Sequence, residues 1–493
     1  MILSLNRPRN ELCKTNITKG KTMNRIIKSI VPVAMAAVIM GCGSDNDDVR
    51  DIVVPEPPTP ELGTSYVRVI HGSADAPLVN VKAGSDIIEG LGGVDYGVGS
   101  GFLSLTEGTY ALSVDAILPD ESTATVLDLG DVDLGADMEY TVIAHGYVME
   151  DDDDSNDLAA AVIANTRTDV ADGNIRIQVL HAAPNAPTVD LHVTGATDDL
   201  TTALATLAYG EATGQVEVAA GIYRVRLVIP AGMAGEGTVA YDVVLPDLAA
   251  GADLFVAAVP NTEVMTSPVK LLVNDGAGTS TIYDDRTTAQ VRVIHAAADV
   301  PNVDVFVNDG KVDSLSNAPF GGVTGYADLP EGTYTVDARL TADNSVTGIS
   351  EDLTVMNNNK YTVNAVGTLD AMDMADLEYY VLADNVRAVA TESKVRITHA
   401  HPSVGNVDIY VTADGMIDDV DPAFSDVPYK ASTGFVTLAP GEYNVKVTAT
   451  GTKTVAIDTG MLDLMGGKIY SATAVNAPMA MPANLILSDA FIE

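Results

Sequence analysis

Apolar and polar residues alternate with a period of two along a stretch that recurs four times in the chain. In Val291–Val307, VRVIHAAADVPNVDVFV, residues Val291, Val293 and His295 fall on one face of an extended chain, and Arg292 and Ile294 on the other. After a short Ala/Asp/Pro segment the alternation resumes, with Val303, Val305 and Val307 apolar and Asp304 and Phe306 facing away. This pattern predicts strand, tight connection, strand. Close variants begin at Tyr66 (YVRVIHGSADAPLVNVKA), Ile175 (IRIQVLHAAPNAPTVDLHV) and Val395 (VRITHAHPSVGNVDIYV). Their histidines, His71, His181, His295 and His399, stand 110, 114 and 104 residues apart. That period is the size of a small domain, so each copy is expected to bury its own core.

The offsets around the histidine predict a hairpin with His295 opposite Pro301. In that register four outward-facing pairs form across the strands: Arg68 with Asn80, Gln178 with Asp190, Arg292 with Asp304, and Arg396 with Asp408. Each pair can hydrogen-bond and two are ion pairs, which suits strand register at roughly 0.2–1 kcal/mol per pair.

Two more landmarks recur. Glu107-Gly108-Thr109-Tyr110, Ala220-Gly221-Ile222-Tyr223, Glu331-Gly332-Thr333-Tyr334 and Pro440-Gly441-Glu442-Tyr443 each lead into an alternating strand, glycine supplying the turn and tyrosine opening the strand. A further turn and strand follow at Met138, Ala252, Asn358 and Lys468. Helical periodicity is weak, its best short candidates being Asp370 to Tyr380 and Asp199 to Leu207. Many short strands between turn signals predict an all-β chain of four tandem immunoglobulin-like or transthyretin-like β-sandwich domains, over 66–172, 173–289, 290–393 and 394–493. Brief polar joints near Asp172, Ala289 and Ser393 predict a rod with limited flexing.

Charge narrows the possible partners. Net charge is −41, and because residues 1–41 hold seven basic residues and one acid, the remainder carries 20 basic and 67 acidic residues, a net of −47. Such a surface repels phosphate backbones and anionic lipid, which argues against nucleic-acid binding. The two cysteines, Cys13 and Cys42, leave no disulfide within the repeats.

Residues 1–22 read as a non-native extension, and Met23 opens a leader, MNRIIKSIVPVAMAAVIMGC, with a basic start and an apolar run from Ile30 to Met40. Ile39-Met40-Gly41-Cys42 resembles the lipobox of bacterial lipoproteins, with isoleucine at the usual leucine position. The reading is a signal peptide over 23–41, lipid attachment at Cys42 and a Pro/Asp-rich tether over 42–65 that includes PEPPTP. Gly43 and Ser44 rather than aspartate follow the cysteine, which implies an outer-membrane lipoprotein facing the periplasm or the cell surface. Several acyl chains, at about 0.8 kcal/mol per buried CH₂, anchor firmly.

Taken together, HAAADVPNVDV, EGTYTVDA and NKYTVNAVG resemble the bacterial domain of unknown function 4397, whose members open on H-A-x-x-x-x-P-x-V-D-V and continue into a G-T-Y strand. The resemblance runs four times from Tyr66 onward and departs in the fourth copy, where Gly405 replaces proline. It implies an exported β-sandwich module without established catalytic residues.

Candidate chemistry is sparse. The four histidines share a face with core valines and read as strand-end side chains bonded to a loop. His145, His192 and His401 each occur in one repeat, so no metal and no cofactor is expected. The acidic run Glu150 to Asp154 could take calcium, but it lacks the loop glycine and has Val162 where an acid belongs. Hydrolase, zincin, P-loop and dinucleotide motifs are missing, and a chain without tryptophan is poorly equipped to stack sugars. The expectation is therefore a non-enzymatic, lipid-anchored envelope protein with a structural, adhesive or partner-binding role. A small-ligand or calcium-binding surface module is the alternative.

Overall fold

The computed structural model describes residues 62–149, 156–264, 266–369, 376–476 and 485–491. The leader, Cys42, the tether and the acidic run from Glu150 to Asp154 lie outside these residues.

In the first repeat the strands are β1 (Thr64–His71), β2 (Val79–Ala83), β3 (Asp86–Ile87), β4 (Leu103–Thr106), β5 (Gly108–Ile117), β6 (Thr123–Leu134), β7 (Met138–His145) and β8 (Ala159–Thr166). They form two four-stranded sheets, β4-β1-β7-β8 and β3-β2-β5-β6. β1 runs parallel to β7, with Val69 beside Val142, and antiparallel to β4. The other repeats repeat this plan. The histidine strands Asn174–His181, Ala289–His295 and Ser393–His399 lie parallel to Asp253–Pro260, Lys360–Val366 and Lys468–Ala474. The architecture is all-β, eight sheets of four or five strands paired into sandwiches.

The hairpin expected after each histidine does not form. β1 and β2 sit in different sheets, and Ala289–His295 and Val303–Val307 do likewise. β2 pairs instead with β5, Val81 lying beside Val114. The alternation itself is real, but a strand with one apolar face can meet its successor across a core as well as beside it. Here Val67 and Val69 face Val79, Val81 and Val114 through the sandwich. The four outward pairs fall with the hairpin. Asn80, Asp190, Asp304 and Asp408 tie down neighbouring segments of the second sheet; Asp304 accepts from Lys311, the Asn317 amide, Thr341 and Asn344 at 2.8–3.0 Å.

The described parts of both helical candidates are not helical. Glu378–Asp384 is a strand against Lys360–Val366, residues 370–375 lie outside the described set, and Ala205–Leu207 pairs with Val189–Leu191.

The tyrosine landmark has a sharper role than strand initiation. Tyr110, Tyr223, Tyr334 and Tyr443 each donate their hydroxyl to the carbonyl four residues back, Thr106, Ala219, Pro330 and Ala439, at 2.6–3.0 Å. These are tyrosine corners, a device that pins a chain crossing from one sheet to the other. The preceding glycine has φ of 150–156° in all four copies, a conformation costly for any residue with a Cβ.

The repeats do not follow one another end to end, as a rod requires. Beyond the sandwich cores, one cluster joins Ile70, Ala74, Tyr96 and Ile143 of repeat 1 to Leu180, Phe255, Ala257 and Leu272 of repeat 2. A second joins Ile294, Ala296 and Val366 of repeat 3 to Ala400, Val475 and Ile486 of repeat 4. Both use the face of the histidine strand opposite the core, which explains why Val67 to His71 is buried on both sides. Repeats 1 and 2, and repeats 3 and 4, are thus packed sheet face to sheet face.

Candidate functional site: the clasps between paired repeats

Each histidine is a loop anchor. The Nε2 atoms of His71, His181, His295 and His399 lie 3.0–3.2 Å from the carbonyls of Pro77, Pro187, Pro301 and Gly405, six residues on in every case. A carbonyl only accepts, so Nε2 carries the proton and Nδ1 keeps its lone pair. In two repeats that lone pair accepts a backbone amide at 3.3 Å, from Ala183 and from His401. Burial disfavours the imidazolium: all four histidines are held below their ordinary pKa, His71 at about 4, although the bonded carbonyl pulls the other way.

An aromatic ring stands edge-on to each imidazole, Tyr96, Tyr209, Phe320 and Tyr429, with centroids 6.2–6.3 Å apart. The residue after it, Gly97, Gly210, Gly321 or Lys430, has φ between 58° and 83° and donates its amide to the histidine carbonyl at 2.8–2.9 Å. Sequence reading passed over this element. Its signal is the recurring aromatic-glycine step Tyr-Gly, Tyr-Gly and Phe-Gly, which becomes Tyr-Lys in the fourth repeat.

The residues three before the histidine, expected on an exposed face, form the polar centre of each interface. Arg68, 2% exposed, donates Nε to Thr141 Oγ1 at 2.7 Å and Nη1 across the interface to Asn274 Oδ1 at 3.3 Å. Its guanidinium lies 4.6 Å from the Phe102 ring and 5.2 Å from Phe255. Desolvation lowers its pKa to about 10 against the opposing pull of Glu139, Asp253 and Asp275. From the other side, Gln178 accepts from Asn165 Nδ2 at 2.8 Å.

In the second pair the same places carry charge on both sides. Arg292 donates Nε to Thr362 Oγ1 at 2.8 Å and grips Asp489 of repeat 4 with both terminal nitrogens, at 2.7 and 3.1 Å. Reciprocally, Arg396 of repeat 4 places Nη1 2.7 Å from Asp384 Oδ1 of repeat 3. That contact is Coulombic rather than an aligned hydrogen bond, since Oδ1 has no hydrogen-bond donor in geometry. Asp384 Oδ2 accepts from Tyr326 and Thr362 at 2.6 Å. Both pairs therefore exchange a side chain from each histidine strand with the strand that lies antiparallel to the facing repeat's parallel strand. The apolar residues Ile70, Leu180 and Ile294 on the supposedly outward face were the available sign.

A separate contact ties the second pair to repeat 1. Arg387, in the segment between repeats 3 and 4, donates to the carbonyls of Ala74 and Ala76 and to Asp95, and Ala390 N bonds Asp75 O at 2.8 Å.

Family comparison finds the repeated region as well, apart from 193–288, which is most of repeat 2. The profile described as "Domain of unknown function (DUF4397)" matches residues 65–192, 289–410 and 411–490. The chain belongs to the DUF4397 family. The DUF4397 match runs past repeat 1 into the first two strands of repeat 2, and past repeat 3 into those of repeat 4.

A comparison with curated proteins finds no match. Among solved structures, the Bacillus anthracis TIE protein is similar at 11% identity over 84% of this chain and 68% of that one, with a TM-score of 0.14. A putative cell adhesion protein from Parabacteroides distasonis is similar at 10% identity over 64% and 98%, with a TM-score of 0.12. Bacteroides ovatus SGBP-B, solved in complex with a mixed-linkage heptasaccharide, is similar at 12% identity over 79% and 91%, with a TM-score of 0.10. At such scores these likenesses carry no statement about activity.

Among the described residues no group of three or more His, Cys, Asp or Glu side chains is arranged to hold a metal ion.

Proposed function

We propose that this DUF4397 chain is a lipid-anchored protein of the cell envelope, tethered through Cys42, whose paired sandwiches form a rigid non-catalytic platform for a structural, adhesive or partner-binding role. The observation that carries the reading is how the recurring polar residues are used. The histidines hold loops, the arginines clasp neighbouring repeats and the tyrosines pin strand crossings. Residues repeated four times for chemistry would converge on accessible space; these are spent on bonds to other parts of the chain. The acidic surface supports solubility and disfavours polyanionic partners such as nucleic acid.

The test is made on intact cells. Labelled palmitate is expected in the wild-type protein and not in Cys42→Ser, and a membrane-permeant cross-linker is expected to capture a discrete envelope partner with the anchored form. A Cys42→Ser protein that still fractionates with membranes and carries label would overturn the anchor. Turnover of a substrate by the purified chain would overturn the non-catalytic role.

A further inference from the structure

The clasp between repeats 3 and 4 opens on a pocket of about 290 Å³. Repeat 3 contributes Arg292, Tyr326 and Lys360 to its wall, and repeat 4 contributes Phe435, Lys468 and Asp489. Arg292 is committed to Asp489, and Asp384 beside it to Tyr326, Thr362 and Arg396. Lys360 is different. Its ammonium stands 5.0 Å from the Tyr326 centroid, half-buried, and among the described residues no carboxylate lies within ion-pair distance of it.

The first pair of repeats shows what this place holds when the chain fills it. By strand register Glu139, beside Tyr66, is the counterpart of Lys360, beside Gln290. In the first pair Gln215 Nε2 donates to Glu139 Oε1 at 2.7 Å, and Arg167 Nη1 lies 3.9 Å from Oε2. The Arg167 guanidinium lies 4.0 Å from the Tyr66 ring and 5.3 Å from Phe102, so it covers the aromatic wall. In the second pair a lysine replaces the glutamate, Phe435 replaces Gln215, and Val386, two residues past Asp384 as Arg167 is past Asn165, replaces the arginine. One pair thus carries its own carboxylate with donors around it; the other carries an ammonium, open space and two aromatic rings each backed by an arginine, Arg292 4.9 Å from the Tyr326 centroid and Arg396 4.5 Å from that of Phe435.

We propose that the pocket between repeats 3 and 4 binds a small ring compound bearing a single carboxylate, the carboxylate on the Lys360 ammonium and the ring against Tyr326 and Phe435. A half-buried ammonium without a contact ion pair gains from an anion delivered in a partly desolvated pocket, where a charge-assisted hydrogen bond is stronger than in water. Concave sites with few convergent polar groups and aromatic walls are the usual form of small-ligand sites. The acids nearby, Asp384, Asp489 and Asp328, act on Lys360 through space and select against ligands with two negative charges. The proposal is independent of the lipid anchor and of any adhesive role.

Calorimetric titration of the full chain with D-glucuronate, D-glucose and inorganic sulfate tests it. Glucuronate is expected to bind at least about tenfold more tightly than glucose, with sulfate weaker than glucuronate. Lys360→Met is expected to cut glucuronate affinity by about tenfold or more while leaving the response to glucose unchanged. Val386→Phe, which fills the pocket and keeps the ammonium, is expected to abolish binding, and it decides the matter if Lys360→Met does not fold. No glucuronate heat at tens of millimolar, equal affinity for glucose, tighter binding of sulfate, or full affinity in folded Lys360→Met or Val386→Phe would each overturn the proposal.

Discussion

Asp384 is the carboxylate on which the second pair of repeats turns, and removing it gives the most decisive test of the clasp. Its side chain is 1% exposed, with Arg396 at 4% and Arg292 at 6%. Asp384→Ala leaves the Arg396 guanidinium buried without its anion, takes a second negative charge 3.9 Å from Arg292 Nε, and strips the acceptor from Tyr326 and Thr362. Breaking one partner out of a buried pair typically costs about 3–5 kcal/mol, mostly the penalty of stranding the other charge. Urea-dependent hydrogen exchange by mass spectrometry, on peptides spanning residues 289–399, measures that cost as faster opening by roughly two to three and a half orders of magnitude. Peptides of repeats 1 and 2 should be unaffected. A cycle with Arg396→Met should recover much of the loss in the double variant, because no charge is then left unpaired. The exposed pair between Arg339 and Asp309, whose carboxylate is 89% exposed, is the internal control. A change below about 1 kcal/mol for Asp384→Ala, no larger than a surface ion pair contributes, would refute the clasp as an energetic element.

Further outcomes follow from the same geometry. The buried histidines are held below the unfolded value near 6.5, so the unfolded chain binds more protons in acid; their stabilisation is complete above about pH 6.5 and is lost as pH falls towards the folded value, about 4 for His71. At about 1.4 kcal/mol per pKa unit, His71 alone contributes on the order of 3 kcal/mol of that loss, and melting scans between pH 7.5 and 4.5 should show a slope that His71→Gln reduces. Equal slopes in the two proteins would count against the assignment. Tyr334→Phe should lower stability by about 1 kcal/mol through the lost corner hydrogen bond, read from the urea midpoint, with no change in strand content by circular dichroism. Arg387→Ala should make the joint over 385–392 a preferred site of limited proteolysis, since it releases the contacts to Ala74, Ala76 and Asp95; unchanged cleavage would show that Ala390 and its neighbours hold the joint alone.

Much of a single repeat is legible along the chain. The period-two alternation of Val291, Val293 and His295, the Gly-Tyr steps and the spacing of the histidines follow from local chemistry: pleat parity, a φ that only glycine tolerates, and turn residues between apolar runs. Four β-sandwiches and a histidine tied to its own loop can be read from these alone, because each depends on residues close in sequence. Partnership between strands cannot. Parity places Val303 on an apolar face but is silent on whether that face lies beside Val293 or across a core from it, and the hairpin reading failed at that step. The clasps were further out of reach. Arg292 meets Asp489 across 197 residues, and the charge pattern that marks it in one pair becomes arginine and asparagine, or glutamine and asparagine, in the other. What the sequence determined by itself was the repeated unit, written in local periodicity. What only the tertiary structure decided was that the units bury a second face in pairs, because an apolar side chain on a strand's far side becomes core only when another domain arrives to cover it.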